Sequence, residues 1–303
     1  MEQNLILGQA LGLVTAFCIA QNSVIYRYLG GRIGSESVAH IRMWLALPLI
    51  VLLTRAVEGI WFPVGWSFTT YLTLLASGAI GYFLTDLLMF RAYVLLGSRE
   101  SMVIMTLSPV VTAILSFFIY AERLNPVQTM GMLITIAGVL MMAILDGRHT
   151  IIEDERTNRR AGVLYAILGA LFQSISFLLA KFALGEGGPV STNLVRNLGG
   201  LGAFIIYSGV IRGHMKAHFR SLKDRRALLL LLAATVAGPV VGMSSQMKAF
   251  SLAPVGLVTT ITQISPILLL PYDWLVAKRT ISQASVIGTL LSIAGIAILF
   301  LAA

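Results

Sequence analysis

Residues 104–118 read IMTLSPVVTAILSFF, an apolar run interrupted by the step Ser108-Pro109. Residues 261–274 read ITQISPILLLPYDW and carry the same step at Ser265-Pro266. Proline lacks a backbone donor and kinks a helix, so two such steps in apolar runs ask for a common origin. The offset that carries Ser108 onto Ser265 also carries Gly81 onto Gly238, Arg91 onto Lys248, Gly131 onto Gly288 and Gly138 onto Gly295. Nearer the start of each half, a slightly shorter offset carries Gly8 onto Gly162, Arg27 onto Lys181 and Arg42 onto Arg196. The chain is a tandem repeat with a small insertion in its second copy.

Composition names the solvent. Of 303 residues, 57% are hydrophobic and 12% charged, and the mean hydropathy is +0.86. Soluble domains carry about 25% charged residues, so this chain suits lipid. Apolar runs long enough to cross a bilayer, about 17–25 residues, fall at 5–26, 37–54, 68–91, 98–120, 127–146, 161–183, 190–211, 227–249, 255–277 and 283–302. They are unbroken and lack the alternation of an outer-membrane barrel. The expected fold is therefore an all-α integral membrane protein of ten transmembrane helices. Residues 1–146 and 161–303 form the two repeats, joined by a charged loop over 147–160. Five helices per repeat is an odd number, so the second copy must insert upside down. Inverted repeats of this kind build many secondary transporters, with the solute site near midplane between the copies.

The motifs in their order resemble the EamA-type repeat of the drug/metabolite transporter superfamily. Gly81 marks the middle of the third span, and "RAY" (Arg91 to Tyr93) closes it. Ser108-Pro109, "AERLN" (Ala121 to Asn125) and a glycine-bearing run ending "IAGV" follow. The second half repeats these as "KAF", "SP" and "IAGI", and departs where Arg279 replaces Glu122. The resemblance covers nearly the whole chain. It implies a ten-helix carrier of small organic solutes, in a family that includes amino-acid and metabolite exporters.

Loop charge sets an orientation. The net charge is +9, and loop cations fall mostly after odd-numbered spans, with only Arg55, Arg123 and Lys181 after even-numbered ones. The positive-inside rule then puts the odd-numbered loops in the cytoplasm and both termini outside. The family resemblance implies the reverse, with both termini cytoplasmic. Membrane orientation accounts for the basic balance without a nucleic-acid partner.

Charged side chains inside spans are expensive and mark function by default. Arg42 and Arg196 stand at equivalent repeat positions, so an inverted repeat can aim both into one cavity. Each guanidinium presents a planar fork suited to a carboxylate; pairing with an acid of the chain itself is the alternative. Asp86 shares a helical stripe with Tyr82 and Phe90. A buried carboxylate without a partner exchanges protons near neutral pH, which makes Asp86 a candidate coupling group, or else it pairs with Arg42 or Arg91. Asn22, Gln173, Asn193, Asn197, Gln246 and Gln263 offer carboxamides that both donate and accept. With Tyr82 and the two arginines they are the expected substrate-binding set. Asp273, near the end of its span, reads as an interfacial salt bridge. The Ser-Pro pairs (Ser108, Pro109, Ser265, Pro266) are expected to bend towards the cavity or gate it, with Thr112 beside them. Gly8/Gly12 and Gly238/Gly242 fit close helix packing. His214 and His218 have metal-ligand spacing but lie in a basic loop, and read as solvated.

No phosphate loop, Gly-x-Ser-x-Gly elbow or His-Glu-x-x-His pair is present in the sequence, so neither an ATP-driven pump nor a hydrolase is expected. No cofactor or metal is expected, and a single cysteine, Cys18, rules out an intrachain disulfide. The expected function is secondary export of amino acids or related metabolites across the plasma (inner) membrane, coupled to protons through Asp86. The partners are the small-molecule solute and the lipid bilayer; a monomer suffices and a homodimer is compatible. The alternative is a lipid-handling protein or an uncoupled, channel-like facilitator.

Overall fold

The computed structural model describes residues 2–146, 156–213, 215, 218, 224–268 and 283–301. Among these, all regular structure is helical. The long helices are α1 (Glu2–Ile33), α2 (Ser35–Glu58) and α3 (Phe68–Leu96). A shorter pair follows, α4 (Ser98–Ile104) and α5 (Leu107–Tyr120), then α6 (Pro126–Asp146). The second half runs α7 (Arg156–Ala183), α8 (Pro189–Ile211), α9 (Arg225–Leu252), α10 (Val255–Thr262), α11 (Ser265–Leu268) and α12 (Gln283–Leu301). Seven of the helices, counting α4 and α5 as one run from Glu100, are long and apolar enough to cross a membrane. Asp273, Arg279, His214 and most of the 147–160 loop lie outside the described residues.

The repeat written in the sequence recurs in backbone irregularities. α3 carries a π-helical stretch at Ala79–Thr85 and α9 one at Val236–Gly242. The offset from Ser108 to Ser265 superposes these two stretches end on end. In α9 the cause is Pro239, which withholds its N–H from the ladder. In α3 it coincides with Gly81, against which Ser176 of α7 packs too closely for any side chain. The Ser-Pro steps mark breaks matched to within one residue, α4/α5 at Met105-Thr106 and α10/α11 at Gln263-Ile264.

Equivalent helices of the two halves run antiparallel. On α6 and α12 the contacts pair Gly131 with Gly295 and Gly138 with Gly288, so one sequence ascends as the other descends. Midway, the Ser292 hydroxyl donates to the Thr135 carbonyl at 3.1 Å. α2 meets α8 in the same sense: Met43 faces Asn197, and Glu58 at the end of α2 accepts from the Val190 and Ser191 N–H groups that open α8. A carboxylate at a helix N-terminus satisfies donors that have no partner within the helix. Asp224 does the same for α9, accepting from Arg226 and Ala227. These backbone bonds, Ala227 first and then with Arg32, hold its carboxyl below the usual range.

Candidate functional site

A cavity of about 110 Å³ opens where the two halves meet. α1 contributes Cys18, Asn22 and Tyr26 to its wall, a stripe at four-residue spacing that faces one way on a helix. α2 contributes Arg42, and α3 contributes Asp86 with Phe90 and Tyr93. From the second half come Gln173 and Phe177 of α7, then Gly242, Met243 and Gln246 around the end of the α9 π stretch. The break between α10 and α11 closes the ring with Thr262, Gln263 and Ser265. Gly242 lets α9 sit against Cys18, where an added Cβ would lie 2.9 Å from the Cys18 Cβ.

The charged floor of this cavity is one ion pair. Arg42 donates through Nη2 to Asp86 Oδ2. Its guanidinium also sits 5.3 Å from the Tyr26 ring centroid and 5.2 Å from that of Phe90. Cation–π contacts of this kind strengthen as water is excluded. The pair is mostly buried, at 7% and 14% side-chain exposure, so neither charge relies on bulk water. Burying two charges is expensive, and leaving one of them alone is worse.

Arg196 is placed elsewhere. It is fully buried and does not line the cavity. Its Nε donates to Ser77 Oγ at 2.9 Å and its Nη2 to Ser176 Oγ at 3.0 Å, while the Tyr82 ring lies 4.7 Å away. No carboxylate pairs with it among the described residues, because Met243 stands where Asp86 stands in the first half. Tyr82 and Asn193 belong to this second cluster. The Tyr82 hydroxyl donates to Asn193 Oδ1 at 2.5 Å, and Asn193 Nδ2 donates to the Pro239 carbonyl at 2.8 Å. Asn197 faces Met43. So of the substrate-binding set expected from sequence, Arg42, Asn22, Gln173, Gln246 and Gln263 share the cavity wall with Asp86. Arg196, Tyr82, Asn193 and Asn197 form a buried polar core beside it. Sequence reading missed Tyr26, Tyr93 and Phe177; Tyr26 was detectable as the next residue of the Cys18–Asn22 stripe.

The two Ser-Pro steps also diverge from the expectation that both face the cavity. Ser265 lines it, whereas Ser108, Pro109 and Thr112 are buried away from it. Ser108 Oγ lies 3.0 Å from Ser174 Oγ on α7, and Ser265 Oγ donates to the Ala16 carbonyl on α1 at 3.0 Å. The carbonyls freed by proline are both answered within the turn. Met105 O accepts the Ser108 N–H at 2.9 Å, and Thr262 O accepts the Ser265 hydroxyl at 2.6 Å. Non-helical backbone at membrane depth is tolerated on these terms. His218, expected to be solvated, is instead buried against Ser37 (2.8 Å) and edge-on to His40.

Comparison with known proteins now bears on this arrangement. The EamA-like transporter family matches twice, over residues 6–144 and again over 160–301. The chain belongs to the EamA-like transporter family. Its members are membrane transporters rather than enzymes, and this EamA-like chain is a multi-pass membrane protein. No curated protein matches it. Among solved structures, one crystal structure superposes with a TM-score of 0.73 at 15% identity, covering 96% of this chain and 94% of its own. At that identity the likeness concerns the fold.

Proposed function

We infer that the chain is a ten-span secondary carrier that exports small organic solutes, such as amino acids or related metabolites, across the plasma membrane. The observation that carries this reading is the ion-paired cavity at the junction of two antiparallel copies. A site so placed is exposed to one side or the other as the copies rock against each other. The Arg42–Asp86 pair supplies a coupling device. A solute that competes for Arg42 frees Asp86, and a freed carboxylate in a water-poor site takes up a proton. Solute entry and proton uptake are then linked at one ion pair, which is the condition for coupled transport.

Proteoliposomes holding the purified protein test this. Saturable uptake that accelerates in counterflow, and that responds to an imposed pH gradient, is the expected result. Asp86→Asn removes the group that titrates and is expected to abolish the response to the pH gradient while counterflow persists. A conductance that rises linearly with solute concentration would replace the carrier with a channel-like facilitator. An unchanged pH response in Asp86→Asn would dismiss Asp86 as the coupling group.

A further inference from the structure

Most carboxamides in a buried core are matched by the chain itself. Asn193 shows the usual outcome, with its oxygen accepting from Tyr82 and its nitrogen donating to the Pro239 carbonyl and Ser244. Gln246 does not follow it. It is 0% exposed and lines the central cavity, yet neither Nε2 nor Oε1 has a hydrogen-bond partner among the described residues. Asn22 Oδ1 and Arg42 Nε, on the same wall, are also unmatched. Buried polar groups are nearly always satisfied, and those left open on a cavity wall are satisfied by what enters it.

The chemistry of the missing partner follows from three features. First, the open atoms of Gln246 are one donor and one acceptor side by side, the complement of another carboxamide. Second, the one ion pair on the wall among the described residues is already neutralised, Arg42 by Asp86, so a charged solute has to displace a partner whereas a neutral one does not. Third, Tyr26, Phe90, Tyr93 and Phe177 add flat apolar faces around a volume of about 110 Å³. An apolar cavity of about 150 Å³ holds benzene, so this smaller space suits a flat group of a few heavy atoms rather than a substituted ring.

The geometry points to a small, planar, uncharged primary carboxamide as the preferred solute. Its carbonyl accepts from Gln246 Nε2, one N–H donates to Gln246 Oε1, and a second N–H reaches Asn22 Oδ1. This rests on the carrier reading of the same cavity and narrows the solute class within it, but not on displacement of Asp86 from Arg42, since a neutral solute leaves that pair in place.

Cys18, the chain's single cysteine, stands on that wall and reports occupancy. The experiment measures the rate of Cys18 alkylation by N-ethylmaleimide in proteoliposomes, with acetamide, acetate or acetamidine as the isosteric probe. Acetamide at ten times its Kd is expected to slow alkylation about tenfold by mass action, and the two charged probes are expected to leave it unchanged. Gln246→Leu is expected to lose the acetamide effect, and Gln246→Glu, which keeps the shape, to shift protection to acetamidine. Equal protection by acetate, or acetamide protection that survives Gln246→Leu, overturns the assignment. Labelled acetamide in counterflow separates the two levels. Protection without any acetamide flux supports the solute class and removes the carrier reading. A saturable flux of acids or amines that acetamide does not compete with does the opposite.

Discussion

Arg42 and Arg196 occupy equivalent places in the two halves, and their surroundings differ. Asp86 answers Arg42; its counterpart Met243 cannot answer Arg196, which is held by hydroxyls and the Tyr82 ring instead. The first arginine is thus a charge in a neutral pair, and the second a solitary charge in a polar nest. Removing one member of a buried pair strands the other and costs about 3–5 kcal/mol, whereas removing both costs less. Arg42→Ala and Asp86→Ala are each expected to lower the thermal midpoint in detergent micelles, and the double variant to recover much of the loss. A double variant whose loss equals the sum of the singles would show that the two do not interact. At this scale the sequence announced the buried charges and offered Arg42 as one of two partners for Asp86. It did not announce that Arg196 lies off the cavity. Repeat symmetry predicts equal environments for the two arginines, and the departure from equality lies in how the halves close on each other.

Between residues and bundle stand the breaks in the helices. Ser-Pro made two of them legible, since proline's missing donor is written in the sequence. The π stretches were less so: Pro239 signals the one in α9, but Ala79–Thr85 contains no proline and is recognisable only as its repeat partner. π-helical turns cluster at functional positions, and here the one in α9 ends at Gly242, on the cavity wall. Glycine does a different task where α6 crosses α12. A Cβ placed on Gly138 would lie 2.6 Å from the Gly288 carbonyl oxygen and 2.7 Å from the Ser292 nitrogen. Both neighbours are backbone, so the helices must separate. Gly138→Val is therefore expected to destabilise the protein by at least the 1–3 kcal/mol typical of overpacking, read as a lowered thermal midpoint. Gly202 on α8 has nothing within 4 Å of such a Cβ, and Gly202→Val is the matched control, expected to keep its midpoint much closer to that of the parent. Equal losses in both variants would mean that the crossing does not set the cost.

For the molecule as a whole, the ion pairs fix which helix ends lie together, and with them the distribution of charge across the bundle. Arg32 with Asp224, Arg91 with Glu36, and Arg159 with Glu100 join the end of α1, the start of α2, the end of α3 and the starts of α4, α7 and α9. At the opposite end, Lys181 pairs with Glu122, which also caps α10 at Val255, while Glu186 accepts from Ser67. The first end additionally carries Arg27, Arg160, Arg225 and Arg226; the second has Arg55, Arg123 and Lys248 besides Lys181. Among the described residues the contacts keep these two groups apart. Cations are retained on the cytoplasmic side during insertion, so this charge distribution predicts that the first end faces the cytoplasm and the 59–67 loop between α2 and α3 faces outward. The family resemblance implies the opposite placement, and one site decides between them. Val64 is 82% exposed in that loop. In a Cys18→Ser background, Val64→Cys is expected to react with a membrane-impermeant maleimide added to intact cells, at the same rate before and after permeabilisation. Labelling that appears only after permeabilisation would put the loop in the cytoplasm, and the basic end of the bundle would then face outward against its own charge.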